Sequence, residues 1–150
     1  MLAWVPAALI MAVIFWRSAQ PGQAFVSDPT ADLAVKKIGH FVGYALLGAA
    51  LAIAIGSSRA TWSAGVRGGT AAALDRAATA PGRAAAAPDR ATLLGAWAIA
   101  TAYAATDEFH QVFVTARSPS IVDVGIDALG AATGIATFAV LVRWWRRRTS

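Results

Sequence analysis

Between Ala102 and Gly134 the chain reads AYAATDEFHQVFVTARSPSIVDVGIDALGAATG. An apolar, helix-like run ends on Asp107, Glu108, Phe109, His110 and Gln111 and turns through Arg117-Ser118-Pro119-Ser120. It resumes as a second apolar run carrying Asp123 and Asp127. The flanking segments suit lipid, whereas ionised groups at membrane depth are costly and face a protein interior or a wet cavity. The expectation is a helical hairpin that turns these side chains toward a polar site near one membrane face.

The remainder of the chain fits that frame. It is 57% hydrophobic and 14% charged, with a mean hydropathy of +0.55, too apolar for an ordinary soluble domain of 150 residues. That length predicts a single domain, 1–150. No cysteine is present, which excludes a disulfide framework and a thiolate nucleophile or metal ligand. The pI near 10.8 would suggest nucleic acid in a soluble protein. Here most of the positive charge lies in two blocks beside apolar segments, so no nucleic-acid partner is predicted.

Four apolar runs follow in order: Met1–Trp16, Ile38–Ile55, Leu93–Phe113 and Ile121–Val142. No Lys or Arg precedes the first, which argues for a retained helix over a cleaved signal peptide. Gln20-Pro21-Gly22 ends it, and Asp28-Pro29-Thr30 marks a turn or helix start. Lys36 and Lys37 lead into the second run, where Lys36, His40 and Tyr44 form one stripe at helical spacing. Residues 57–90 are an Ala/Gly/Arg/Thr mixture broken by Pro81 and Pro88, read as a flexible loop or loose surface helix. The unbroken apolar part of the third run, Leu93–Ala105, is too short to cross a bilayer, so either the span is incomplete or the acidic pair lies inside it. The fourth run carries Gly130 and Gly134, a spacing that lets membrane helices approach closely.

Of the thirteen Lys and Arg, five lie in 57–90 and four in the tail after Val142. Basic residues favour the cytoplasmic side. The expected fold is therefore an all-α membrane protein, four transmembrane helices in a compact bundle with both termini cytoplasmic. That topology brings His40, Tyr44, Asp107, Glu108, Gln111, Asp123 and Asp127 to one outer layer, rimmed by Lys36, Lys37 and Arg117, with His110 at the same depth.

Phe15-Trp16-Arg17-Ser18-Ala19-Gln20-Pro21, Lys37-Ile38-Gly39-His40-Phe41-Val42-Gly43-Tyr44, Asp107-Glu108-Phe109-His110-Gln111 and Arg117-Ser118-Pro119-Ser120-Ile121-Val122-Asp123, continuing to Asp127 and Gly130, together resemble the pattern of the VanZ-like family. The resemblance covers all four runs. It implies a small bacterial multi-pass protein of the cytoplasmic membrane, in a family whose namesake is associated with low-level resistance to the glycopeptide teicoplanin. The chain departs from the pattern in its long central loop, in Thr115-Ala116 where Pro-Gly is common, and in Asp127 where Asn is frequent.

Each polar residue also has a structural reading. Glu108 and Asp107 could end a helix and pair with Lys36, Lys37 or Arg117; His40 could be an interhelical donor and Tyr44 an interfacial aromatic; Asp123 suits the first turn of a helix. As a layer they predict a site instead. Glu108, His40, Asp107 and Asp127 are the candidates for acid–base work, and Arg117, Lys37, Gln111, Tyr44, Asp123 and His110 for binding. The expected partner is a membrane lipid of the cell envelope, such as a polyprenyl phosphate or peptidoglycan-precursor lipid. The alternatives are a structural knot in a scaffold or partner-binding subunit, and proton or ion movement, which the apolar inner halves of the runs disfavour. No cofactor is predicted, and the His and acid spacing matches no strict metal motif.

Overall fold

The computed structural model describes residues 2–22, 24–79 and 88–149, the side chains of 64–79 excepted. The described residues are helical or in short connections: a 3₁₀ turn at Leu2–Trp4, then α1 (Val5–Ser18), α2 (Pro29–Thr79), α3 (Arg90–Gln111) and α4 (Ile121–Thr149). Each helix begins or ends where its sequence provides a stop or a cap. Asp28 accepts the Ala31 N–H at 2.7 Å just before Pro29, and Asp89 accepts the Thr92 N–H at 2.7 Å before α3. These side chains satisfy amide donors that have no partner inside the helix.

The third run forms one continuous helix that includes its acidic pair. Asp107 and Glu108 belong to α3 and are buried. The first part of the central segment is helical, because α2 continues unbroken to Thr79. Its Ala-rich composition favours helix where no proline interrupts it. Pro81 and the rest of 80–87 lie outside the described residues.

The helices meet through small side chains. The inward face of α3 presents Thr92, Ala96, Ala100 and Ala104, and that of α4 presents Ala131, Ile135 and Ala139. Steps of four keep such residues on one face. The closest crossing is between α2 and α4: a Cβ at Gly134 would stand 1.8 Å from the Ala45 carbonyl oxygen, and one at Gly130 would stand 2.4 Å from that of Phe41. Only a hydrogen fits at either place. Larger side chains, Tyr44, Leu47 and Leu51 of α2, fill the centre of the bundle. By length and composition, Pro29–Ser63 of α2 and all of α4 suffice to cross a membrane; Leu2–Ser18 is a shorter apolar helix. Many large apolar side chains point outward, among them Leu9, Leu46, Leu129 and Val140.

Candidate functional site

At one end of the bundle the inward stripes change character. On α3 the small residues give way to Asp107, Glu108 and Gln111, and on α4 Ala131 is preceded by Asp127 and Asp123. On α2 the same level carries Lys37, His40 and Tyr44. The end of α1 adds Ser18 and Arg17.

Two polar groups result. In the first, Ser18 donates its Oγ–H to Asp107 Oδ2 at 2.7 Å, while the Gln111 amide reaches Asp107 and Glu108, each at 3.4 Å. Glu108 Oε1 accepts the backbone N–H of Ser120, the residue before α4, so this carboxylate ties α3 to the start of α4. In the second, α2 and α4 are joined by two rungs: Lys37 to Asp123, and His40 Nδ1 to Asp127 Oδ2 at 3.4 Å. Asp127 is 1% exposed, and its other oxygen has no protein partner. The His40 ring stacks near Tyr44, centroids 6.5 Å apart. Tyr44 is fully buried, and its hydroxyl likewise has no partner.

Beside these groups lies a cavity of about 280 Å³ between α1 and α2, with Arg117 from the α3–α4 connection at its edge. Val13, Ile14, Phe25 and Val35 give it apolar walls; Arg17, Lys36, His40 and Tyr44 give it polar ones. A smaller cavity of about 170 Å³ adjoins it and shares Arg17, Phe25, Lys36 and Arg117. Arg17 lies over the Phe25 ring, 4.9 Å from its centroid, and Lys36 pairs with Asp32 at 2.6 Å.

The expected layer is thus assembled for His40, Tyr44, Asp107, Glu108, Gln111, Asp123, Asp127 and Lys37. Arg117 sits at the cavity but spends two donors on main-chain carbonyls, Nη2 on Arg17 at 2.9 Å and Nε on Gln20 at 3.2 Å. It clamps the α3–α4 connection to the end of α1, where unpaired carbonyls and the helix dipole favour a cation. His110 turns toward α1 and packs on Phe15, centroids 4.8 Å apart, outside both polar groups. The expected pairing of Asp107 or Glu108 with a lysine or arginine is replaced by bonds to Ser18, Gln111 and Ser120. Ser18 and Arg17 were not among the residues singled out by sequence. A serine and an arginine at a helix end read as a boundary, and only their place in the motif Phe15–Pro21 pointed to them. Among the described residues no three His, Asp or Glu side chains are grouped to hold a metal ion.

A small bundle, helical in its described residues, two of whose helices are long and apolar enough to cross a membrane, with its buried acidic residues gathered at one end, is the class of protein that these features define. A family model described as VanZ/LLP1 matches residues 3–143, nearly the whole chain, and the chain belongs to that family. Comparison with curated proteins and with solved structures finds no match.

Proposed function

We propose that this VanZ-family protein crosses the bacterial cytoplasmic membrane four times, with both termini and residues 57–90 inside. Its polar layer then opens toward the outer leaflet, binds a lipid-linked cell-envelope molecule there, and through it contributes to resistance to teicoplanin-type glycopeptides. The observation that carries this reading is the polar end itself. Side chains from all four helices are drawn to one level, next to a cavity whose walls are part apolar and part cationic. Amphiphilic ligands fit sites with that division.

The four-span topology is supported by the way α3 hides its acids. At about 1.5 Å per residue its 22 residues extend about 33 Å, the thickness of a hydrocarbon core. Asp107 and Glu108 are turned into the bundle and away from lipid. The 17 residues of Leu2–Ser18 reach about 25 Å, with Trp4 and Trp16 at the two ends as interfacial anchors.

A second reading, a structural knot without a ligand, draws on Asp107 Oδ2 and the two Glu108 oxygens, which are bonded to Ser18, Gln111 and Ser120. The two readings divide the layer between them: the carboxylates hold the helices, and the groups that line the cavity take the ligand. Ion movement has less support, since among the described residues the inward stripes below the layer carry alanine, glycine, leucine, isoleucine and Thr92 but no ionisable side chain.

The test is binding of the purified chain to a panel of polyprenyl-phosphate and peptidoglycan-precursor lipids, beside glycopeptide susceptibility of cells with and without it. Retention of at least one panel lipid over bulk phospholipid is expected. Equal retention of all lipids, with unchanged susceptibility, would leave the knot as the better account.

A further inference from the structure

We infer that the group recognised in the cavity is a phosphate on a lipid, and that it is seated deep, on the Tyr44 hydroxyl and His40 Nε2, with Arg17 and Lys36 above it. This rests on the reading of the layer as a lipid site and specifies what that site selects.

The first support is a segregation of charge. Every carboxylate of the layer stands behind the cavity wall and is engaged there: Asp107 with Ser18, Glu108 with Ser120, Asp123 with Lys37, and Asp127 with His40. None of the four lines the cavity. The charged side chains that do line it are Arg17, Lys36 and Arg117, together with His40. Asp32 pairs with Lys36 beside the cavity, yet the wall itself holds Arg17, Lys36 and Arg117 and no carboxylate, and such a wall suits an anion.

The second support is independent of charge. Tyr44 lines the cavity, yet its hydroxyl is buried with no partner in the protein. Such a group is normally hydrogen-bonded, so its vacancy calls for an acceptor. His40 also lines the cavity, and with Nδ1 directed to Asp127 its second ring nitrogen, Nε2, remains for a ligand. Lys36, His40 and Tyr44 follow one another at steps of four on α2, so Tyr44 lies about 12 Å deeper than Lys36. Cations at the mouth draw the anion in, and at depth it meets the Tyr44 hydroxyl and His40 Nε2, which donates when the ring is protonated at both nitrogens. Phosphate provides enough acceptor oxygens for this set, whereas an alcohol or ester carbonyl provides too few. The apolar walls, Val13, Ile14 and Val35, would take the first part of the lipid chain.

The experiment measures binding of dodecyl phosphate, dodecanol and inorganic phosphate to the purified chain in maltoside micelles, with Tyr44→Phe and Arg17→Gln alongside. Dodecyl phosphate is expected to bind at least about tenfold more tightly than dodecanol. Tyr44→Phe should weaken it about tenfold, the loss of one hydrogen bond to a charged acceptor. The same variant should melt no lower than the wild type, because it removes an unpaired buried hydroxyl. Arg17→Gln, on an exposed side chain, tests the anion site without touching the core. Inorganic phosphate binding as tightly as dodecyl phosphate would assign the site to the free ion, and weaker binding assigns it to the lipid. Dodecanol binding as well as the phosphate, or full affinity in both variants, overturns the proposal and leaves the broader lipid site standing. If the polyprenyl and precursor lipids also fail to bind, the broader reading falls with it.

Discussion

At the scale of single residues, the same kind of side chain does different work according to where its atoms point. Asp107 and Asp127 are both buried acids. Asp107 holds the end of α1 through Ser18, whereas Asp127 orients a histidine that reaches the cavity. Their convergence was legible in the sequence: Asp107 and Gln111 are four apart, as are Asp123 and Asp127, and the order of the runs brings these faces together. What Arg117 and His110 do was not legible, because it depends on contacts with the end of α1 about a hundred positions away in the chain. Ala116 shows how a departure from the family pattern becomes physical. Its φ is 57°, in the left-handed region where a Cβ is crowded, and it occupies the position where the resemblance led us to expect glycine. Ala116→Gly should therefore raise stability by about 0.5–1 kcal/mol, the relief of strain less the added chain entropy. Thermal melting in detergent measures it, and a lower melting temperature would show that the turn carries no such strain.

At the scale of elements, the helices are specified by small residues inside and caps at their ends. The Gly130 and Gly134 spacing was readable as a close-approach motif, and it is used against α2. Gly134→Ala would push a methyl into the Ala45 carbonyl oxygen, so α2 and α4 must separate, at a cost of about 3 kcal/mol or more. Gly125→Ala, whose Cβ would meet nothing within 4 Å, is the matched control and should cost nothing. Similar melting of the two variants would argue against the crossing described. The cap of α3 sets a pH dependence. Hydrogen bonds from Thr92, side chain then backbone, and the nearby Arg59 charge hold the Asp89 carboxyl below its ordinary 3.8. Its charged form is thus favoured in the folded state. The stabilisation is complete above the unfolded pKa and is lost as pH falls through the lower folded value. Asp89→Ala should lower the melting temperature at neutral pH and show a smaller further loss on acidification below pH about 4 than the wild type. Parallel acid profiles would remove Asp89 from the list of contributors. The length of α2 was the element least legible in the sequence: 57–90 reads as low in large apolar side chains, and such composition leaves helix and loop undecided.

At the scale of the whole molecule, the proposed function depends on which side of the membrane the polar end occupies. The proposed topology, which rests on the two basic blocks in 57–90 and the tail, puts it outside. An inward-facing layer would meet cytoplasmic solutes and the inner leaflet, and no ligand of the outer envelope could reach it. Ser118 lies exposed in the α3–α4 connection, next to the clamp made by Arg117. The chain has no cysteine, so a single Ser118→Cys substitution gives one reporter without background. The measurement is labelling of that cysteine by a membrane-impermeant maleimide, in intact spheroplasts and in inside-out vesicles. Labelling in the spheroplasts, with none in sealed vesicles, is the predicted result; labelling confined to the vesicles would contradict the outward site and everything proposed for its ligand.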